Sequence, residues 1–240
     1  MKDTRRRVTA LVASASVTAL LAAGCGVGKS DSSSGDEDAG KPIKGGTLNM
    51  LGVGDVDYMD PNVSYYSGGY LGLRLWSRQL FTFPAKKGET EKPVPDLATE
   101  IPTADNGGIS ADGKTVTIKM RDDAKWNTSP ARAVTAQDFV RGVKRTCNPI
   151  QPFTGQTDFD FLIVGYKKFC ADFVAPYAKD GAKPATPADV EKYVEGTDLP
   201  GVEAKDDTTI VFHLTQPAAQ MVDMLTLPAF SPATVHRDES

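Results

Sequence analysis

Between Gly113 and Pro149 the apolar positions change period from two to about three and a half, so a strand is followed by a loop and then a helix. Val116, Ile118 and Met120 alternate with Thr115, Thr117, Lys119 and Arg121, the pattern of a strand with one buried face, and Asp112-Gly113 supplies the turn into it. Thr135-Ala-Gln-Asp138 has capping-box spacing: a hydroxyl can accept an orphan amide, and a carboxylate lies at the positive helix end. The spacing predicts a helix from Ala136, with Phe139, Val140, Val143 and Cys147 inward, Lys144 and Arg145 at its negative end, and Asn148-Pro149 as its stop.

The same reading extends along the chain. Gly45 to Leu51 is expected to be a strand with Leu48 and Met50 on one side. A Gly, Asp and Tyr-rich loop, Gly52 to Gly69, leads to Leu71, Leu73, Leu75, Trp76, Leu80 and Phe81, an apolar run expected to be a buried helix. Glu100 to Thr103 is expected to pair with the strand Thr115 to Arg121. Thr186 at a cap, Pro187 in the first turn and Asp189 three after the cap predict another helix, with Val190, Tyr193 and Val194 inward. Val202 to Ala204, a turn at Asp206-Asp207 and Thr209 to Leu214 read as a hairpin with Ile210, Phe212 and Leu214 on one face. Ala218 to Leu227 is expected to hold a short helix before Pro228.

Composition narrows the class. The 240 residues, 40% hydrophobic and 24% charged, suit a globular chain with one or two cores. The formal charge is −4; Lys2, Arg5, Arg6 and Arg7 against Asp3 give +3 to the first 24 residues, leaving −7 on the remainder. An acidic body argues against nucleic acid as partner. Arg5 to Arg7 followed by the apolar stretch Val8 to Ala23 reads as a signal peptide, too short to span a hydrocarbon core that needs about 20 residues. It ends in Leu21-Ala22-Ala23-Gly24-Cys25, which resembles the lipobox of bacterial lipoproteins, although leucine is commoner at the place of Ala22. That resemblance implies a lipid on Cys25 and an anchor on the outer face of the cytoplasmic membrane; cleavage at an Ala-x-Ala site of a secreted protein is the alternative. Residues 25–44, with SDSSSGDEDAG, read as a flexible linker.

Several separated blocks agree, in order, with one family. GGTLNM at Gly45 to Met50, the MDP of Met59 to Pro61, KWN at Lys125 to Asn127, V-T-A-Q-D-F-V before Asn148-Pro149, and DLPGVEAKDDTTIVFHLTQP at Asp198 to Pro217 closely resemble the extracellular solute-binding proteins of family 5. These are the dipeptide, oligopeptide and nickel receptors of ABC importers. Thr128-Ser129-Pro130 stands where the family usually has Asp-Gly. The resemblance implies an α/β fold with a mixed sheet, of the type II periplasmic-binding-protein architecture but incomplete. Its first domain would comprise residues 45–70 and 199–240, with 71–198 inserted as the second domain and the third, ligand-closing domain absent. The function implied is capture of peptides or a related solute outside the membrane and delivery to the permease, with no cofactor; a truncated, non-functional remnant of such a receptor is the alternative.

Candidate sites follow. The resemblance points to Tyr65, Tyr66 and Ser67 in the loop after the first strand as ligand contacts, since a flat ring packs on a peptide while its hydroxyl directs a hydrogen bond. Phe161 is expected either near the ligand or in the core. Cys147 and Cys170, 23 positions apart in an exported chain, can close a disulfide contributing about 3 kcal/mol, or else be small buried apolar residues. Asp55, Asp57 and Asp60 invite a calcium reading, but the loop lacks the Gly and terminal Glu of an EF-hand, and neither His213 nor His236 has a partner at ligand spacing, so no metal is expected. Gly28-Lys29-Ser30 ends like a phosphate loop, yet Ala23 stands where the first glycine belongs. No Ser, His and Asp set sits in a nucleophile context, and no catalysis is expected.

Overall fold

The computed structural model describes residues 44–47, 49, 51, 52 and 54–234. The expected signal peptide, Cys25, nearly all of the linker, Leu48, Met50 and His236 lie outside them. The chain divides into two units, Met1–Met50 and Leu51–Ser240, and the elements below belong to the second.

In chain order the elements are α1 (Ser67–Leu73), β1 (Phe81–Thr82), β2 (Val94–Pro95), β3 (Thr115–Lys119), α2 (Ala136–Arg145), α3 (Tyr166–Val174), α4 (Pro187–Gly196), β4 (Val202–Asp206), β5 (Thr209–His213) and α5 (Met221–Met224). One antiparallel sheet has the order β3-β5-β4, with Val116 opposite Phe212, Ile118 opposite Ile210, and Val202 also opposite Phe212. β1 and β2 form a separate two-stranded ribbon. Central position explains β5: Ile210, Val211 and Phe212 are all buried, because one face meets the core and the other is covered too.

α2 forms as its cap predicts. The Thr135 hydroxyl accepts the Asp138 N–H at 3.4 Å, and the Asp138 carboxylate accepts the Thr135 N–H at 3.0 Å. The helix lies across β4 and β5, placing Phe139 edge-on to Phe212 with ring centres 6.1 Å apart. α4 repeats the device with Thr186 and Asp189, and packs on α2. Between them run the bond from the Lys144 ammonium to the Val194 carbonyl at 3.1 Å and the Arg141 to Glu195 ion pair at 2.5 Å. Cys147, just past α2, is joined by a disulfide to Cys170 in α3, and both are buried.

Three expectations need correction. The apolar run from Leu71 is not one buried helix: α1 starts at Ser67, takes in Gly68, Gly69 and Gly72 and ends at Leu73, while Phe81 belongs to β1. Leu71, Leu75 and Trp76 are exposed; the run supplies apolar residues without a helical stripe, and only Leu73, Leu80 and Phe81 reach the core. Glu100 to Thr103 is not a strand. β3 instead takes β5, some 90 positions later in the chain, as its ladder partner, and single bridges, Ala98 to Met120 and Ile109 to Val116, come from residues on either side of 100–103. The described residues of Gly45 to Leu51 are not in a strand, a conformation that exists only by pairing.

The segment before Thr234 is held tightly. Asn62 donates to the carbonyls of Ala229 and Ser231, both at 3.0 Å; Gln79 donates to the Ser231 hydroxyl at 3.0 Å; and Ala233 N–H donates to the Asp138 carbonyl at 2.9 Å. This approach explains Gly142 in the middle of α2, because a Cβ there would stand 2.0 Å from the Ser231 carbonyl oxygen. Gly142→Ala is therefore expected to destabilise the protein by about 2 kcal/mol despite the better helix propensity of alanine. A urea titration checks this; an unchanged or higher midpoint would show that the segment yields freely.

Candidate functional site

The loop leading into α1 is built on one carboxylate. Asp57 accepts the Ser64 hydroxyl at 2.6 Å on Oδ1, and the backbone N–H groups of Tyr65 and Tyr66 at 2.7 and 3.1 Å on Oδ2. It pins the two residues that lead into the helix, while Tyr66 at the cap position offers no side-chain bond to α1. Burial pushes the Asp57 carboxyl up, but the bonds from Ser64, Tyr65, Tyr58 and Tyr66 outweigh it and hold the group below the usual carboxylate range. Gly69 is the residue that lets α1 come this close, for a Cβ there would stand 2.4 Å from the Ser64 hydroxyl oxygen and 2.7 Å from Asp57 Oδ1.

So fixed at the backbone, the loop presents its side chains outward. Tyr65 and Tyr66 are 43% and 61% exposed, and Ser67 is exposed as well. The Tyr65 ring stands edge-on to Phe153, centroids 5.4 Å apart, and Phe153 stacks on Phe159, which meets Phe230. An aromatic base thus carries Tyr65, with the more exposed Tyr66 next to it in the chain.

Phe161 lies elsewhere in the pattern. It is 59% exposed, which rules out the core expectation for it, while its neighbours Leu162 and Ile163 are buried. Its carbonyl accepts the Thr215 hydroxyl at 2.5 Å, but the ring partner of Tyr65 is Phe153. Phe153 was not singled out in the sequence, where a large aromatic between Pro152 and Gly155 in a polar loop was the available signal. Asp60, one of the carboxylates weighed for calcium, pairs with Arg145 at 2.6 Å.

A second feature is a cleft of about 660 Å³ bounded by Asp60 to Asn62, Trp76 to Arg78, the loop Arg121 to Asn127 and the segment Ser231 to Thr234. Its guanidinium groups are engaged: Arg78 with Asp96, Arg121 with Asp123 at 2.5 Å, and Arg145 with Asp60. Trp126, on its wall, donates its indole N–H to Asp138 at 2.9 Å, and the Arg132 guanidinium lies 5.5 Å from its ring centre.

The family model for bacterial extracellular solute-binding proteins, family 5, matches residues 92–240, more than half of the chain. The chain belongs to this family. Among curated relatives, the oligopeptide-binding protein AmiA of Streptococcus pneumoniae is 29% identical over 132 residues, covering 54% of this chain and 17% of that protein. Among solved structures, Listeria monocytogenes OppA bound to peptide matches with a TM-score of 0.52 at 28% identity, over 73% of this chain and 28% of that one. The substrate-binding domain of an oligopeptide ABC transporter from Bacillus anthracis matches with a TM-score of 0.53 at 27% identity, over 73% and 27%. The mixed α/β architecture is that of these type II binding proteins, and the chain spans between about a sixth and about three tenths of the length of these relatives.

Because Asp57 has a depressed pKa, the stability it contributes is present above the ordinary carboxylate value near 4 and is lost as pH falls below it. Asp57→Asn is expected to cost about 1 kcal/mol at neutral pH and to lessen the acid sensitivity of α1. Amide exchange at Tyr65 and Tyr66, followed from pH 7 down to about 3, checks this; equal protection in both proteins would remove Asp57 as the organiser of the loop.

Proposed function

We propose that this chain carries part of the substrate-binding component of an ABC importer, capturing peptides outside the membrane and presenting them to a permease. Membership of the solute-binding family supports a binding role, and the names of the AmiA and OppA relatives favour peptides within it. The observation that carries the reading to a site is the tyrosine pair, fixed at the backbone by Asp57 yet open at the side chains. Two open rings, one of them set against Phe153, offer apolar area at little entropic cost, and their hydroxyls offer direction to a peptide main chain. Ser67, at the first position of α1, is placed to add a hydroxyl at the same edge.

The two-part organisation goes with this reading: residues 45–70 and 199–240 as a first domain, and 71–198 inserted as a second. In a receptor of this kind, ligand binding shifts an equilibrium between open and closed lobes, so the energy of tyrosine contacts is used in closure. We also propose export through residues 1–24 and anchoring through a lipid on Cys25, because the Leu21 to Cys25 sequence has lipobox character and residues 25–44 suit a tether.

One experiment covers both. Expressed from Met1, the chain is expected in the membrane fraction and, once solubilised, to retain peptides from a random pentapeptide mixture in equilibrium dialysis. Tyr65→Ala with Tyr66→Ala is expected to weaken retention about tenfold or more; Cys25→Ser is expected to free the protein from the membrane with retention unchanged. Retention indifferent to the tyrosines would overturn the site, and membrane association indifferent to Cys25 would overturn the anchor.

A further inference from the structure

The cleft of about 660 Å³ takes no part in the peptide reading, since Tyr65, Tyr66 and Ser67 are not on its walls. Its volume is that of a small-molecule site. The chain has two tryptophans, and both line it, together with Met59 and Leu97. Trp126 is a fixed wall, because its indole N–H is bonded to Asp138. Trp76 and Met59 are 56% and 51% exposed, so this side of the cleft is open to solvent. They lie near each other: a Cβ on Gly72, four positions before Trp76, would stand 3.7 Å from the Met59 methyl carbon.

The charges on the walls are mostly of one sign. Arg78, Arg121, Lys125 and Arg145 line the cleft, against Asp60 and Asp123. Arg145 pairs with Asp60, Arg121 with Asp123, and Arg78 with Asp96, while the exposed Lys125 has no ion pair among the described residues. Asp122, in the same loop, is exposed but is not on the walls. Arg121 is loosely committed, for it and Asp123 are both exposed, and a surface pair of this kind contributes little. Asp96 holds the Arg78 guanidinium above its ordinary range while the nearby Arg121 works against it, so two guanidiniums repel each other here. On a chain that carries −7 beyond its first 24 residues, this is a local excess of positive charge.

We propose that the cleft is a second binding site, for a small monocarboxylic acid with a flat apolar body: the carboxylate bonds Lys125 and Arg121, and the body packs on Trp76 and Met59. One cation without a carboxylate partner matches a monoanion. A guanidinium holds a carboxylate through a planar fork, and an ammonium adds a point charge beside it. An indole ring and a thioether both pack well on a flat apolar group. The site is separate from the tyrosine pair and does not depend on it.

Phenylacetate is the probe, titrated into the full chain while tryptophan emission is followed, with phenethyl alcohol as its neutral counterpart. Both tryptophans are on the walls, so filling the cleft changes the emission. A saturable change is expected with the acid, and binding at least about tenfold weaker with the alcohol, as fits the loss of charge-assisted bonds. Lys125→Gln, at an exposed position that the fold does not need, is expected to weaken the acid about tenfold and to leave the alcohol unchanged. Tyr65→Ala with Tyr66→Ala is expected to leave the acid unchanged. Equal affinity for acid and alcohol, or indifference to Lys125→Gln, would overturn the anion site. No saturable change with either probe would overturn the site altogether, whatever the chain does with peptides. Loss of acid binding in the tyrosine variant would make the cleft part of the peptide site and overturn its independence.

Discussion

A single buried carboxylate organises the larger part of this structure. Asp138, 3% exposed, accepts the Thr135 N–H at the start of α2, the Trp126 indole at 2.9 Å, Arg132 at 2.7 Å and Arg141 at 2.7 Å. Burial alone would push its carboxyl up; the bonds from Arg132, Trp126 and Thr135 more than reverse this and hold it ionised. Such a group is stable only when every partner is in place, because the cost of desolvating a charge is repaid by several good hydrogen bonds together. Through Arg141 the hub extends to Glu195 on α4 and to the Ala233 carbonyl at 3.0 Å. The cap of one helix thereby fixes a loop, a second helix and the segment leading to Thr234.

The parts of this arrangement set by neighbouring residues were legible in the sequence. Thr135 with Asp138 and Thr186 with Asp189 encode both capping boxes, because the bonding groups lie three positions apart and need no tertiary context. The hairpin of β4 and β5 was legible for the same reason. The partner of β3 was not: Val116 and Ile118 show that one face is buried, but not which strand lies alongside, and the answer lies at Phe212 and Ile210. The end of α1 at Leu73 escaped too, since Leu75 and Trp76 are apolar residues left on the surface, and composition carries no sign of which leucines are covered.

The candidate site divides along the same line. Tyr65, Tyr66 and Ser67 came from a resemblance carried by blocks such as the MDP of Met59 to Pro61, while Asp57, which holds the backbone of the two tyrosines, was weighed for a metal and not as their anchor. Phe153 became visible only when the loop at Gln151 to Asp160 came to lie against Tyr65. Family membership gives the class of function; the exposed rings of Tyr65 and Tyr66, with the carboxylate that holds their backbone, are the place proposed for it. Under the proposed peptide reading, a fixed backbone beneath open side chains lets the loop hold the main chain that all peptides share.

The most direct test of this account is amide hydrogen exchange on Asp138→Asn beside the unaltered chain. If Asp138 is the hub, protection falls together at Val134, whose N–H bonds Ala124, at Phe139 in the first turn of α2, and at Ala233, which lies 95 positions away in sequence. The accompanying loss of stability is about 3 kcal/mol, as expected when buried arginine charge loses its counter-ion. Protection lost only in the first turn of α2, with Val134 and Ala233 unmoved, would show an ordinary helix cap and contradict the central place given to this carboxylate.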